Sequence, residues 1–172
     1  MTEHIERLRC QQTVDTVQSL TIDREAFGRL VIEHETLLYN VGRTMLGNDA
    51  DCYDAMQETV LAAWKGIGRL REARYFKTWL VRILINQCNA LLRKKHFTDE
   101  LRSDVPSYPA DDEVLAVRRA VETLPAKLRP VVVLYYYEDF TTQEIAKAMG
   151  IPQGTVKSRL STARNNLKKI LE

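Results

Sequence analysis

The sequence predicts an all-α protein of two small helical domains joined by a flexible acidic linker. Three observations carry this expectation. Apolar residues recur at three- and four-residue steps through three successive segments between positions 24 and 95, an aperiodic acidic stretch with two prolines follows, and the C-terminal part reads as two helices around a glycine turn. A length of 172 residues accommodates two compact units. An apolar content of 45% beside 28% charge is that of a chain able to build cores.

Residues 1–23 form an N-terminal extension with no assigned role. The segment 24–46 places Phe27, Leu30, Val31, His34, Leu37, Leu38, Val41 and Met45 on one helical face, with Gly42 and Gly47 punctuating its end. Asn48, a residue suited to an N-cap, opens a second helix to 65 with Cys52, Met56, Val60, Ala63 and Trp64 inward, and Gly66 and Gly68 break it. A third helix, from about 75 to 95, carries the stripe Phe76, Trp79, Leu80, Ile83, Leu84, Cys88, Leu91 and Leu92. These three make one domain, 24–95. The linker is 96–112, HFTDELRSDVPSYPADD. In the second domain, 113–172, Val114, Val117 and Val121 start a helix that Leu124-Pro125 ends. The apolar run 128–137 then has Pro130 in a first turn or at a kink.

The net charge of +2 says little, whereas its distribution is informative. Between 65 and 95 lie Lys65, Arg69, Arg71, Arg74, Lys77, Arg82, Arg93, Lys94 and Lys95 against Glu72 alone, and after 151 lie Lys157, Arg159, Arg164, Lys168 and Lys169 against Glu172. The stretch between these blocks is acidic. Two basic blocks so separated suggest two surfaces facing polyanions. Cys10, Cys52 and Cys88 form no CxxC pair and are odd in number, which argues against a disulfide framework or a zinc site and for a reducing compartment, the cytoplasm. The start, MTEHIERLRCQQ, is charged from its third residue, and no long apolar run occurs later. Neither a signal peptide nor a membrane span is expected. His4, His34 and His96 lie in unrelated settings, with no glycine-rich phosphate loop and no nucleophile-base pair. No enzyme, cofactor, metal or small-molecule substrate is expected.

Around Phe140-Thr141-Thr142-Gln143-Glu144-Ile145 the signals of a helix start are redundant. Thr141 and Glu144 have capping-box spacing, and Phe140 and Ile145 flank them as a hydrophobic staple. Ala146 permits a close crossing, Gly150 a left-handed turn, and Pro152 suits the first position of the next helix. On that helix Val156, Leu160, Ala163 and Leu167 share a face, opposite Gly154, Ser158, Ser161, Thr162 and Asn165, with Lys157 and Arg159 on the flanks. A helix-turn-helix over 142–161 fits this pattern, its small polar face entering a major groove while cations meet phosphates. Gln153, Lys157, Ser158, Arg159, Ser161, Thr162 and Arg164 are the candidate duplex-reading residues. A helical corner without a DNA role is the plainer alternative.

Asp49, Asp51, Asp54 and Glu58 fall in ten residues without a base, and Asp54, Gln57 and Glu58 lie together. This is either a solvated face with acids near a helix N-terminus or a docking surface. On the third helix Arg82, Asn86, Asn89 and Arg93 follow at steps of four, three and four, opposite the apolar stripe. Amides between guanidinium groups can bond exposed base edges while the cations hold phosphates, with Tyr75 and Trp79 as nearby stacking surfaces. A solvated face with Trp79 in the core is equally open on these residues alone.

Together these motifs resemble the extracytoplasmic-function (group IV) sigma factors of bacterial RNA polymerase, which keep two promoter-reading domains, region 2 and region 4. The resemblance runs from about Arg24 to Glu172. In region 2 it is carried by Asp49-Ala50-Asp51 with Asp54, Gln57 and Glu58, by Ala63-Trp64, and by Phe76-Lys77-Thr78-Trp79-Leu80 followed by Arg82-Ile83, Asn86 and Leu92-Arg93. In region 4 it is carried by Leu124-Pro125, Arg129, Tyr136-Tyr137-Glu138, Glu144-Ile145-Ala146 and Gly154-Thr155-Val156-Lys157-Ser158-Arg159-Leu160.

The resemblance implies a transcription initiation factor without its own catalytic site. Asp51, Asp54, Gln57 and Glu58 then dock on the clamp of the polymerase β′ subunit, with the β flap as a further contact. Tyr75, Lys77, Arg82, Asn86, Asn89 and Arg93 meet the −10 element, Asn86 and the 66–75 loop capturing a flipped base. The residues of the last helix read the −35 element. The linker threads toward the RNA exit path, and a membrane-associated anti-sigma factor is the implied regulator, responding to stress. Two positions depart from the family pattern: Ala90 stands where an acid or amide is frequent, and Thr162 where arginine is common. Thr162 cannot make arginine's bidentate guanine contact, which bears on the −35 sequence. From another class, a DNA-binding regulator with an N-terminal effector or dimerisation domain also suits the helix-turn-helix. The 75–95 helix discriminates, since a regulator needs duplex DNA alone.

Overall fold

A computed structural model of the chain describes residues 23–98 and 119–171, which form helices and turns without a strand among the described residues. The first 22 residues, the linker from 99 on, and the helix start at Val114 and Val117 lie outside the described residues. The helices are α1 (Arg24–Glu33), α2 (Glu35–Leu46), α3 (Asp49–Gly66), α4 (Phe76–Thr98), α5 (Arg129–Tyr136), α6 (Thr142–Met149) and α7 (Gln153–Leu171). Short 3-10 turns at Ile67–Arg69 and Ala73–Tyr75 bridge α3 and α4. Residues 119–123 are the described end of a further helix, which Leu124-Pro125 closes.

The segment expected as one helix over 24–46 is two. Asp23 caps α1 by accepting from the Ala26 N–H at 2.7 Å, and the chain leaves helical geometry at His34, φ −111°. His34 Nδ1 donates to the Leu30 carbonyl at 2.9 Å, and its backbone N–H closes on Val31 O, a tighter turn that redirects the axis. Gly42 does not end a helix either. It lies buried inside α2, where a Cβ would sit 2.9 Å from Cys52 Sγ, so its smallness brings α3 close. Gly47, with φ +80°, is the C-cap.

Asn48 caps α3 through the Asp51 N–H, as its residue type suggests. The inward face of α3 is turned from the expected one, with Cys52, Ala55, Thr59 and Ala63 buried. Met56 and Val60 are half-buried, and Trp64 is 42% exposed beside Phe27, ring centres 5.1 Å apart. Small residues take the inward row because α2 crosses closely at Gly42. α4 runs three residues into the expected linker, since nothing in His96-Phe97-Thr98 breaks a helix.

In the second domain Pro130 stands in the first turn of α5, where its missing N–H is not needed. Thr141 and Glu144 make the full capping box, and Phe140 and Ile145 are both buried, as a staple requires. Gly150 turns with φ +65°. Pro152 stands just before α7 rather than in its first position, its carbonyl accepting from Thr155 and Val156 N–H. Val156, Leu160 and Ala163 close this core. The two domains pack together, α2 on α5 and α4 on α6, so their cores are continuous.

Candidate nucleic-acid interface

Because α4 spends its apolar residues on the core, its polar row is free for other work. Arg82, Asn86, Asn89 and Arg93 are all exposed on that row, two guanidinium groups flanking two amides along one face. At the N-terminal end of the helix Tyr75 is 38% exposed, with Arg74 4.9 Å from its ring centre. Arg69, Arg71 and Arg74 are exposed on the segment leading into it, which makes this end cationic. Lys77 departs from that pattern. It is half-buried, its Nζ donating to the Glu138 carbonyl at 2.7 Å and lying 4.6 Å from the centre of the Phe140 ring. Trp79 is not a free stacking surface: its ring is wedged beneath Gly66, where a Cβ would meet Cζ2 at 3.2 Å, and against Phe76.

On α7, Gln153, Lys157, Ser158, Ser161, Thr162 and Arg164 are exposed, and Arg159 is half-buried. Gln153 Nε2 donates to Thr142 Oγ1 at 2.8 Å, tying the start of α7 to the start of α6. The Ser158 hydroxyl donates to the Thr155 carbonyl and the Thr162 hydroxyl to the Ser158 carbonyl, each at 3.0 Å. With their protons so engaged, both oxygens present acceptors outward, suited to the amino groups of adenine and cytosine in a major groove.

The acidic row divides in two. Asp49 accepts from both Tyr39 and Arg43, and Asp51 meets Asn48 at the helix cap. Asp54, Gln57 and Glu58 are exposed one and two turns further on. Beside them runs an apolar groove lined by Val31, Ile32, Leu38, Met56, Val60 and Leu61, with Tyr53 and Gln57 on its edge. Ile32, Tyr53 and Leu61 are among its exposed walls, and sequence reasoning missed them. A signal existed, since Tyr53 and Leu61 are large apolar residues two turns apart and off the inward stripe.

Burial pushes the Cys52 thiol up to about 11 and the Cys88 thiol up to about 12, so both stay protonated at neutral pH and neither is a ready nucleophile. Among the described residues no cluster of His, Cys, Asp and Glu could hold a metal ion, and no helix is long and apolar enough to cross a membrane.

Fold and site define a two-domain helical DNA-binding protein with a C-terminal helix-turn-helix. The family models agree: sigma-70 region 2 matches residues 30–98, and sigma-70 region 4 matches residues 115–167. The chain is 34% identical over 154 residues to the ECF RNA polymerase sigma factor SigM of Mycobacterium tuberculosis, covering 87% of this chain and 79% of that one. In fold it is similar to the sigma factor RpoE of Bartonella quintana, solved in complex with the anti-sigma factor NepR, with a TM-score of 0.76 and 24% identity over 84% of this chain and 96% of that one. It is also similar to CnrH, solved with the cytosolic domain of CnrY, with a TM-score of 0.69 and 26% identity over 92% and 94% of the two chains. The chain belongs to the extracytoplasmic-function sigma factors, transcription initiation factors that direct RNA polymerase to promoters.

Proposed function

We propose that the chain divides this task among three surfaces. Asp54, Gln57 and Glu58, with the adjoining apolar groove, dock on the clamp of the polymerase β′ subunit, while Asp51 supports the helix cap beneath them. Arg82, Asn86, Asn89 and Arg93, with Tyr75 and Lys77, capture the melted −10 element. Gln153, Lys157, Ser158, Arg159, Ser161, Thr162 and Arg164 meet the −35 duplex, and the second domain also meets the β flap. Residues 24–95 act as region 2 and 113–172 as region 4, with 96–112 between them. The family placement extends to group IV. The chain works in the cytoplasm and contributes binding energy rather than a catalytic group. A membrane-associated anti-sigma factor holds it in reserve until stress, a reading supported by the partners of RpoE and CnrH.

The observation that carries this reading is the exposed row on α4, where two cations flank two amides beside an aromatic and a basic segment. A flipped base loses its stack at a cost of a few kcal/mol, which an amide offering both donor and acceptor offsets in part. Asn86→Ala should therefore impair opening more than closed binding, since Arg82 and Arg93 still hold the backbone. The test compares a fully paired promoter with the same promoter carrying a pre-melted bubble, scored by permanganate reactivity and run-off product. A defect partly relieved by pre-melting supports the pocket, and equal activity of variant and parent on both templates removes Asn86 from the mechanism.

A further inference from the structure

The groove between α1, α2 and α3 has a volume of about 560 Å³, and three large side chains on its walls face solvent, Ile32 at 69% exposure and Tyr53 and Leu61 each at 52%. Apolar walls gathered around one concavity mark a place of association, unlike apolar residues scattered singly over a surface. The rim is acidic. Glu35 lines the groove, Asp54 and Glu58 stand exposed beside the lining residues Tyr53 and Gln57, and no base lines it among the described residues.

The chain enters α1 at Asp23, after 22 residues that lie outside both family matches. In that sequence Met1, Ile5 and Leu8 follow at steps of four and three, the spacing of one helical face. Arg9 falls one turn beyond Ile5 on the same side of a helical wheel, and Glu3 and Glu6 fall off it. α1 is itself a wall of the groove, with Val31 and Ile32 in its last turn. At helical rise Ile32 lies about 14 Å from Asp23, whereas the residues between Leu8 and Asp23 span about 21 Å, so the apolar spacing at 5 and 8 reaches past the end of α1. A short tether of this kind holds its end at an effective concentration of about 1 mM, at which a contact of about 0.1 mM affinity is formed in about nine chains of ten.

We propose that residues 1–22 fold back over this groove in the free chain, Ile5 and Leu8 seated against Ile32, Tyr53 and Leu61 with Arg9 toward Glu35, and that polymerase must displace them to dock. The competition rests on the reading of the groove as part of the clamp-docking surface, whereas the fold-back does not. Seating two aliphatic side chains removes their apolar surface and that of the walls from water, and the arginine meets a rim that carries only acids. A tethered cover of this strength slows no folding step and is readily exchanged for a larger partner.

The test uses the full chain, labelled with nitrogen-15 and carrying a nitroxide on Cys10, two residues past Leu8, since Cys52 and Cys88 are buried. The amide signals of Ile32, Tyr53 and Leu61 are expected to lose most of their intensity until the nitroxide is reduced, and that of Ser161 in the other domain to keep its own. Ile5→Ser with Leu8→Ser is expected to release the broadening without disturbing the rest of the spectrum. Unbroadened groove signals, or broadening that the double variant leaves unchanged, overturn the fold-back. Mixing nitroxide-labelled chains with separate nitrogen-15 chains tests a second copy as the occupant, and broadening in that mixture overturns an intramolecular cover. With about nine chains in ten covered, the same double variant is expected to bind core polymerase about tenfold more tightly. Released broadening with unchanged core affinity overturns the competition. Failure of the underlying reading has its own signature: Asp54→Lys with Glu58→Lys then also leaves core binding unchanged, while the broadening pattern of the parent chain persists.

Discussion

Arg43 Nε donates to Asp49 Oδ1 at 2.9 Å, on the same oxygen that accepts the Tyr39 hydroxyl. Both side chains of the ion pair are largely buried, so Asp49 fastens α3 to α2 rather than facing a partner. Asp54 and Glu58, on the same helix, face solvent. Asp49→Ala is expected to cost about 1–3 kcal/mol in urea unfolding by stranding two donors, whereas Asp54→Lys with Glu58→Lys should leave unfolding unchanged and abolish pull-down of core polymerase. A stable Asp49→Ala protein, or unchanged pull-down by the double variant, contradicts this division.

The contact of α2 with α3 depends on the missing side chain at Gly42. Gly42→Ala is expected to destabilise the chain by about 1–3 kcal/mol, because its methyl group meets a buried sulfur within a packed core. Cys52→Ala should remove most of that penalty. A double-mutant cycle in thermal or urea unfolding measures the coupling, and strictly additive losses contradict the close approach.

Hydrogen bonds from the Thr141 side chain and backbone hold the Glu144 carboxyl below its ordinary value of 4.5, with Lys77 and Lys147 adding to the effect. A depressed folded-state pKa stabilises fully above the unfolded value, and that contribution is lost as pH falls through the folded one. The capping box is therefore intact at neutral pH, and its contribution is lost in acid as pH falls through the lowered folded-state value. Glu144→Gln should flatten this acid dependence of stability, while Thr141→Ala costs about 1 kcal/mol at pH 7. Denaturant titrations across the acid range check both, and an unchanged acid slope in Glu144→Gln contradicts the assignment.

The features legible in the sequence are those set by a few neighbouring residues. Thr141 with Glu144, Gly150 and Asn48 each announce a helix end through local hydrogen bonding or backbone freedom, and each stands where expected. The break at His34 was hidden because the apolar spacing continues smoothly through it. Trp64 and the buried pair Val81 and Ile85 depend on which helix lies across from them. At the site, the row Arg82, Asn86, Asn89 and Arg93 was readable from periodicity alone. The engagement of Lys77 by a carbonyl 61 positions away was not.

On α7 the exposed acceptors of Ser158 and Thr162 predict a preference for amino-bearing bases. Thr162→Arg should shift one position of the −35 preference toward guanine, worth about 1–3 kcal/mol of discrimination. Arg159→Ala should weaken binding across sequences and lower the salt slope by about one if it holds one phosphate. Selection from a randomised −35 duplex with salt titration reads both, and an unaltered base preference in Thr162→Arg contradicts its place at the base edges.

The central claim is that one chain reads two promoter elements through two separate helices while bound to polymerase. The most direct measurement is run-off transcription by purified core polymerase and the full chain on a genomic promoter library, followed by sequencing of the starts. The account predicts starts that share two upstream blocks, with Asn86→Ala changing selection only in the block nearer the start and Thr162→Arg only in the farther one. Starts that share neither block, or a variant that changes selection in the block assigned to the other helix, would contradict it.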